Sequence, residues 1–266
     1  MRILPIFGLL GHSFKSTLSN LGFAFHISWP WMLAILPFNI AGNIYGVLNQ
    51  PAAPGEVVAS VLIVSLAIGL LTMVAFASIA VSWHRFILLD EVPHGWDRLR
   101  LDATVWRYFG NTILMILILF AGGLAIGIPV GIVIAILSYF AKQYVLILAI
   151  PAYLAMGLAA ISYSYRFGIK LPGIALNRQD YTFRNALSDS AGNFWRFAGL
   201  GILVGLVLLA LALVVGVPTY FITLSQNQGL LYVLIAVQLA VNWVATIWTV
   251  TMLTSQYGYF VEKRNF

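Results

Sequence analysis

The side chains suited to acid–base or metal chemistry are clustered in one short stretch of this 266-residue chain. His84, Asp90, Glu91 and His94 combine imidazole and carboxylate groups, which are common metal ligands and proton carriers. On one continuous helix, His84 and Glu91 would share a face but lie about 10.5 Å apart, too far to share an ion unless the following loop returns His94. The alternative is charge balance beside Arg85 and Arg98 at a membrane interface. We predict charge balance, with no metal and no cofactor.

The sequence contains no other recognisable catalytic arrangement. It has no cysteine, which excludes disulfides and thiol catalysis. It has no Ser–His–Asp set, metalloprotease motif or phosphate-cradling loop, and no acidic or basic residue lies in the centre of a predicted membrane span. We therefore predict a protein that is not an enzyme and does not pump protons.

Arginines recur at the ends of apolar segments, each beside an aromatic residue. Arginine binds phosphate through paired hydrogen bonds, so these positions are suited to the headgroups of anionic lipids. The alternative is that they are topological anchors whose charged ends reach the membrane interface. The candidate headgroup residues are Arg85, Arg107, Arg166, Arg196, Trp106 and Trp195.

Four amide side chains lie inside predicted spans, as two pairs spaced four residues apart. Asn39 and Asn43 belong to the first span, and Gln238 and Asn242 belong to the sixth. Amides in a membrane face neighbouring helices rather than lipid. They predict either interhelical hydrogen bonds, worth about 1 kcal/mol each, or a polar cavity for a small or amphipathic ligand.

One spacing occurs twice and indicates a repeated unit. Trp106-Arg107 precedes Gly127-Ile128-Pro129, and Trp195-Arg196 precedes Gly216-Val217-Pro218; in both copies the Trp stands 21 positions before the Gly. The intervening residues are apolar, so each unit resembles a membrane helix anchored at its first turn. Proline removes a helix hydrogen bond, and we therefore predict kinks at Pro129 and Pro218, in the half of each span far from the anchor.

Small residues spaced four apart predict close helix packing, within the chain or between copies of it. They occur in the third and fifth predicted spans. These positions are Gly123, Gly127, Gly131, Gly201 and Gly205.

The composition requires a membrane environment. Hydrophobic residues make up 61% of the chain and charged residues 8%, whereas soluble proteins have about 25% charged residues. Six apolar segments each have about 20 or more residues, enough to cross a hydrocarbon core of about 30 Å. They cover about 28–48, 57–83, 111–139, 144–165, 197–223 and 230–254.

The distribution of charge predicts the topology. All Lys and Arg residues except Lys142 fall in the terminal segments or in the connections after the second and fourth spans. The positive-inside rule then places both termini in the cytoplasm and the short loops, such as 49–56 and 225–229, on the other side. Apolar periodicity predicts an amphipathic surface helix before each pair of spans. The predicted surface helices cover 1–26, 94–110 and 182–195.

We therefore predict one all-α membrane domain over residues 1–266, built from three parallel helical-hairpin repeats. Each repeat consists of a cytoplasmic surface helix followed by two spans. The predicted repeats are about 1–92, 93–178 and 179–266.

This pattern resembles the YciC-like bacterial inner-membrane proteins and the related membrane domains of glycerophosphodiester phosphodiesterases. The resemblance rests on six spans, the N-terminal surface helix and the stretch Trp83-His84-Arg85-Phe86-Ile87-Leu88-Leu89-Asp90-Glu91-Val92-Pro93. It implies a bacterial inner-membrane location and no established chemistry, and the chain carries no phosphodiesterase catalytic domain.

Together these features predict a membrane scaffold or complex subunit that presents an aromatic and basic cytoplasmic surface. We expect its partners to be anionic lipid and either another membrane protein or a second copy of the chain. A net charge of +6 in a membrane protein relates to topology and lipid, so we expect no nucleic-acid partner. The alternative is a lipid or small-solute transporter with a polar cavity between kinked helices.

Overall fold

A computed structural model of the protein describes residues 2–49, 58–178, 180–225 and 228–265, the side chains of Lys142 and Gln228 excepted. All regular structure in these residues is helical, as predicted; the predicted loops 49–56 and 225–229 lie partly outside them. Short 3-10 turns occur at Gly95–Leu99 and Lys142–Tyr144. The helices are α1 (Ile6–Ser19), α2 (Leu21–Leu48), α3 (Ala59–Leu89), α4 (Ala103–Phe140), α5 (Val145–Gly168), α6 (Lys170–Ala175), α7 (Phe183–Asp189), α8 (Phe194–Leu224) and α9 (Gln228–Phe260).

Six helical segments are long and apolar enough to cross a membrane, which confirms the predicted number of spans. Helix α2 packs against α3, α4 against α5, and α8 against α9, so successive long helices form hairpins. The helices extend beyond the predicted apolar limits: α4 begins at Ala103 and α9 ends at Phe260. Hydropathy locates the part of a helix inside the hydrocarbon, whereas the helix continues through the interface where polar residues are tolerated.

The two chain termini meet at one end of the helix bundle. The Arg2 guanidinium donates from Nη1 to the carbonyl oxygens of Tyr259 (3.1 Å) and Arg264 (2.9 Å), and the Tyr259 hydroxyl donates to the Ile3 carbonyl at 2.7 Å. The Asn193 Oδ1 accepts from the Leu4 amide at 2.8 Å. We call this end the collar; it comprises residues 2–20, 84–110, 166–178 with 180–197, and 256–265.

Two separate helices occupy the segment predicted as a single N-terminal surface helix over 1–26. Asn20 ends α1, because its backbone N–H donates to the Thr17 carbonyl (3.1 Å) and its side chain to the Ser16 carbonyl (2.8 Å). These bonds satisfy carbonyl groups that a helix end leaves without partners. Helix α2 then begins at Leu21, well before the predicted start of the first span.

Helix α1 packs its small polar residues against α9. The Trp248 indole Nε1 donates to Ser13 Oγ at 3.0 Å, and Thr17 Oγ1 donates to Thr251 Oγ1 at 2.9 Å. The opposite face carries large exposed apolar side chains, such as Phe7 at 79% exposure. The small polar stripe thus faces the protein and the bulky apolar stripe faces outward, as suits a helix beside lipid.

The second predicted surface helix, over 94–110, is not formed. A 3-10 turn covers Gly95–Leu99, and the remaining residues belong to a loop and to the first turns of α4. Asp102 is the N-cap of α4, since its Oδ1 accepts from the amides of Thr104 (2.9 Å) and Val105 (3.1 Å). A side chain that caps a new helix cannot also continue the previous one, so the periodicity across this junction was coincidental.

The third predicted surface helix is shorter than the predicted range 182–195. It corresponds to α7, which Thr182 caps by accepting from the Asn185 amide at 3.2 Å. After Asp189 the chain turns through Gly192, whose φ of +72° lies in the left-handed region. That conformation interrupts the helix, and α8 begins independently at Phe194.

The buried core lies at the collar. Fully buried side chains such as Trp83, Tyr108, Phe197 and Tyr257 come from the collar ends of α3, α4, α8 and α9. In contrast, at most 17% of the residues in the most apolar stretch of each spanning segment are buried within the protein. The long helices therefore present most of their apolar surface outward.

The predicted glycine packing positions are of two kinds. A Cβ at Gly201 would overlap Ile161 of α5, and one at Gly127 would lie 3.1 Å from the Met156 methyl group. The other three meet no neighbouring atom within 4 Å and so do not bring helices together. These open positions are Gly123, Gly131 and Gly205.

Helices α4 and α8 continue through Pro129 and Pro218, respectively. The kinks that we predict at these positions stay predictions.

Substitution of Gly201 tests the contact between α5 and α8. We expect Gly201→Leu to lower the free energy of unfolding by about 1–3 kcal/mol, because the branched Ile161 has little freedom to move aside. The matched change Gly205→Leu, at an open position of the same helix, should have little effect. The midpoint of thermal unfolding in detergent micelles measures both, and equal midpoints for the two variants would contradict this packing.

Candidate functional site

The four arginines predicted to bind headgroups lie at different places in the collar. Arg85 pairs with Glu91, to which its Nε donates at 2.7 Å, and its Nη1 donates to the Ala175 carbonyl at 3.0 Å. The second Glu91 oxygen accepts from Arg100 Nη2 at 2.8 Å. Asp90 ends α3 in the left-handed region, with φ of 56°, and this lets the chain turn Glu91 back toward Arg85.

This cluster agrees with the charge-balance interpretation for Arg85, but Arg100 and not Arg98 is the second partner of Glu91. The hydrogen bond from Arg85 lowers the pKa of Glu91 to about 2, Arg100 adds to the effect, and partial burial opposes it. Glu91 is therefore ionised between two guanidinium groups at neutral pH. Arg85 is thus paired with a carboxylate and joins α3 to the end of α6.

Arg166 and Arg196 are also engaged in tertiary hydrogen bonds. Arg166 donates to Ser190 Oγ at 3.0 Å and to the Leu187 carbonyl at 2.9 Å, near the end of α7. Carbonyl groups at a helix C-terminus have no partners within the helix, and a cation stabilises them. Arg196 Nη1 donates to the Leu4 carbonyl at 3.0 Å and so attaches α8 to the N-terminal segment.

Arg107 has a different environment, because it lines a basic pocket with residues that the sequence analysis did not single out. The pocket has a volume of about 160 Å³ and lies between α4, α6 and the segment that follows α6. Its lining residues are Arg107, Asn111, Lys170, Ile174, Arg178 and Tyr181.

The cations of this pocket have neutral partners. Lys170 Nζ donates to Asn111 Oδ1 at 2.6 Å and lies 4.1 Å from the centre of the Phe183 ring. Arg107 Nη2 donates to Asn177 Oδ1 at 3.2 Å, and the Arg178 guanidinium lies 6.0 Å from the centre of the Tyr257 ring. No carboxylate is present among the lining residues. The nearby carboxylates lie behind the lining: Asp189 bonds the Tyr181 hydroxyl, and Asp180 and Glu262 are close enough to Tyr257 to act on it.

Tyr181 completes the pocket as a neutral group. Its hydroxyl donates to Asp189 Oδ2 at 3.0 Å. Burial raises the pKa of Tyr181, and the charge of Asp189 acts in the same direction. The hydroxyl therefore stays protonated, and Asp189 is held behind it. Three cations and a neutral wall form an arrangement suited to an anion such as a phosphate group.

The two predicted tryptophan anchors are exposed at the starts of their helices. Trp106 is 51% exposed and Trp195 is 72% exposed. Indole rings with a polar N–H and a large apolar body prefer the headgroup level of a bilayer. Their positions, directly before Arg107 and Arg196, place those arginines near the same level.

His84 is not joined to the other residues of its sequence cluster. It is fully buried; its Nδ1 lies 2.8 Å from Thr254 Oγ1 and its Nε2 lies 3.2 Å from Tyr108 Oη. Since Thr254 donates its own proton to the Val250 carbonyl, a neutral imidazole protonated at Nδ1 satisfies all these bonds. Among the described residues, no three His, Cys, Asp or Glu side chains lie close enough together to hold a metal ion.

The two predicted amide pairs lie apart in the bundle. Asn39 donates to the Ile35 carbonyl at 3.3 Å and Asn43 to the Asn39 carbonyl at 2.8 Å, so these amides bond within their own helix. Gln238 is exposed. Asn242 lines a cavity of about 340 Å³ between α8 and α9. A single polar cavity formed by all four amides is therefore absent from the described structure.

Comparison with known proteins identifies no relative. No family model, curated protein or solved structure matches the chain. The resemblance to YciC-like proteins therefore stays a prediction.

The Glu91 cluster predicts a pH-dependent contribution to stability. Glutamate in an unfolded chain has a pKa of about 4.3, whereas the pKa of Glu91 is lowered to about 2. The stabilisation is thus complete above the unfolded value and is lost as the pH falls through the folded value. We expect Glu91→Gln to cost about 1 kcal/mol at pH 7, because the pair is partly exposed to solvent.

Thermal unfolding of the wild type and of Glu91→Gln, measured between pH 7 and pH 2, checks this prediction. The difference between their midpoints should shrink over the acidic half of this range. Asp97→Asn removes the same charge from an exposed site and should show no such trend. A pH-independent difference for Glu91→Gln would exclude the ion pair as its cause.

Proposed function

We propose that this protein is a non-enzymatic, multi-pass protein of the bacterial inner membrane that acts as a scaffold or as a subunit of a membrane complex. Its collar faces the cytoplasm and contacts anionic lipid or a partner protein. The main observation is the contrast between a densely packed, basic collar and long helices whose apolar faces are left open.

The exposed helix faces support this proposal. The most apolar stretch of the α4 span has no buried residue. In the corresponding stretches of the α2 and α9 spans, 6% of the residues are buried. Such surfaces must be covered by lipid or by another membrane protein, because water cannot solvate them. A protein whose long helices contribute little to its own core offers a large area for association within the membrane.

The position of the basic residues supports a cytoplasmic collar. Every Lys and Arg except Lys142 lies in the collar segments, and cytoplasmic segments of membrane proteins are enriched in these residues. The collar also carries the exposed Trp106 and Trp195. A basic surface at the level of anionic headgroups attracts them by about 1 kcal/mol for each Lys or Arg near the membrane surface.

We also propose that the three hairpins are copies of one unit. Trp106-Arg107 and Trp195-Arg196 lie in the opening turns of α4 and α8, which supports the relation between the second and third copies. The relation of the first and third copies has less support. These copies share the patterns Ser13-Phe14-Lys15-x-x-Leu18-Ser19 and Thr182-Phe183-Arg184-x-x-Leu187-Ser188. Ser13, however, lies in the middle of α1, whereas Thr182 is the N-cap of α7.

One observation favours the alternative function of a lipid or small-solute transporter. The cavity of about 340 Å³ between α8 and α9 is lined by Asn242, Thr246 and Thr249 together with apolar residues. A polar lining inside an apolar helix pair is suited to an amphipathic ligand. Asn39 and Asn43 do not line this cavity.

Cysteine labelling tests the orientation, and the absence of natural cysteines gives a clean background. Gln143→Cys lies in the turn between α4 and α5, and Arg184→Cys lies in α7 of the collar; both side chains are exposed. A membrane-impermeant maleimide should label Gln143→Cys in intact spheroplasts and Arg184→Cys only after permeabilisation. The reverse pattern would place the collar outside the cytoplasm.

Native mass spectrometry of the gently extracted protein tests the function. A scaffold or subunit should retain a second protein chain or bound anionic lipid in a fixed ratio. Reconstitution of the same preparation into liposomes, with and without the variant Asn242→Leu, tests the alternative. A monomer that retains neither protein nor anionic lipid, but shows uptake lost in Asn242→Leu, would exclude the scaffold and support the transporter.

A further inference from the structure

An apolar groove of about 480 Å³ lies between α4 and α5. Small residues form much of its wall, including Gly122 and Gly123 of α4 and Ala160 of α5. A Cβ built at Gly122 or Gly123 meets no other atom within 4 Å. These glycines therefore leave space between the helices instead of allowing close contact.

The groove and the basic pocket lie along the same face of α4. Arg107 and Asn111 line the pocket, and Ile118 and Gly122 line the groove. Their spacings of four, seven and four residues place all four within an arc of about 60° on an α-helix. The face thus changes from basic at the collar to apolar toward the membrane interior.

The opposite walls of the two cavities come from neighbouring elements. Tyr163 and Phe167 of α5 line the groove, and Lys170 at the start of α6 lines the pocket. The Phe183 ring connects them, since it packs edge-on against Phe167 at 5.5 Å and lies 4.1 Å from the Lys170 ammonium. The two cavities are separate, but they follow one another along α4, with the basic pocket on the collar side and the apolar groove toward the membrane interior.

We propose that the surface of these two cavities binds one anionic phospholipid, with its phosphate held by Arg107, Lys170 and Arg178 and an acyl chain in the α4–α5 groove. The inference rests on the proposed function, in which the collar contacts anionic lipid, and it assigns that contact to one site. It differs from the sequence-based prediction, in which arginines at the ends of four spans shared the role.

The chemistry of the surface favours this ligand over others. A free inorganic anion would use the basic pocket and leave the adjoining groove unused. A zwitterionic lipid would bring an ammonium group into a pocket whose lining contains three cations and no carboxylate. An anionic glycerophospholipid matches both parts, because its charge and its apolar chain are joined in the same order as the pocket and the groove. The exposed Trp106, next to Arg107, marks the headgroup level.

The first test removes the charges. Full-length protein is delipidated in detergent, and binding of added phosphatidylglycerol and phosphatidylcholine is measured by native mass spectrometry. We expect the wild type to bind one phosphatidylglycerol preferentially, and Arg107→Gln/Lys170→Gln to bind it about tenfold or more weakly, since charge-assisted hydrogen bonds are lost. The control Lys15→Gln/Arg184→Gln makes the same change in net charge at exposed collar positions outside the pocket and should bind like the wild type.

The second test fills the groove and keeps every charge. Gly122→Leu should weaken phosphatidylglycerol binding by displacing the acyl chain, without creating a clash inside the protein. Gly131→Leu is the matched control, since it lies on the same helix, is equally open and does not line the groove. The thermal unfolding midpoint of Arg107→Gln/Lys170→Gln reports whether that variant folds. If it does not fold, Gly122→Leu and Gly131→Leu still test the inference.

The outcomes separate the inference from the proposed function. Weaker binding in the charge and groove variants, with both controls unchanged, supports the site. Equal binding in all variants overturns the site and leaves the collar as a lipid-binding surface elsewhere. No preference for phosphatidylglycerol in the wild type overturns both the site and the lipid contact. Competition by inorganic phosphate, together with normal binding in Gly122→Leu, overturns the lipid as ligand and indicates a free anion instead.

Discussion

Hydrogen bonds between small side chains hold the first helix against the last, and the arrangement of the collar depends on this contact. Ser13 accepts from the Trp248 indole and Thr17 donates to Thr251, all without charge. In apolar surroundings each such bond replaces an unpaired polar group, which would cost several kcal/mol. The contact brings the N-terminal segment of residues 2–5 beside the end of α9 and within reach of Asn193. Without it, the bundle would lack the closure that brings its termini together.

The collar shows how a largely apolar chain accommodates its few charges. Arg85, Arg166 and Arg196 each donate to a backbone carbonyl in another element, two of them at or near helix ends. These residues are therefore structural connections as much as topological signals. Arg107 and Lys170 are different, because their partners are neutral amides and an aromatic ring. Cations with neutral partners keep their capacity to bind an external anion, and this separates a binding pocket from a structural ion pair.

The helices of the membrane-spanning part are held together differently from those of the collar. Its helices are held mainly by contacts at one end, with local close approaches such as Gly201 against Ile161. Elsewhere small residues leave open grooves, as Gly122 and Gly123 do. Since lipid tails are as apolar as the side chains, no hydrophobic driving force closes such grooves in a bilayer. They are open to lipid chains or to helices of a partner, which is the association that we propose.

The sequence by itself determined the all-α class, the six spans and the placement of nearly every basic residue at one end, because span length and hydropathy depend on the bilayer and not on tertiary contacts. It was wrong about the second surface helix and about the limits of the other two, where short capping residues such as Asn20 and Asp102 overrode the apolar periodicity. Only the tertiary structure decided which charges are neutralised and which glycines make contacts. It also brought Lys170 and Arg178 beside Arg107, since residues far apart in sequence share a pocket only when three elements pack together.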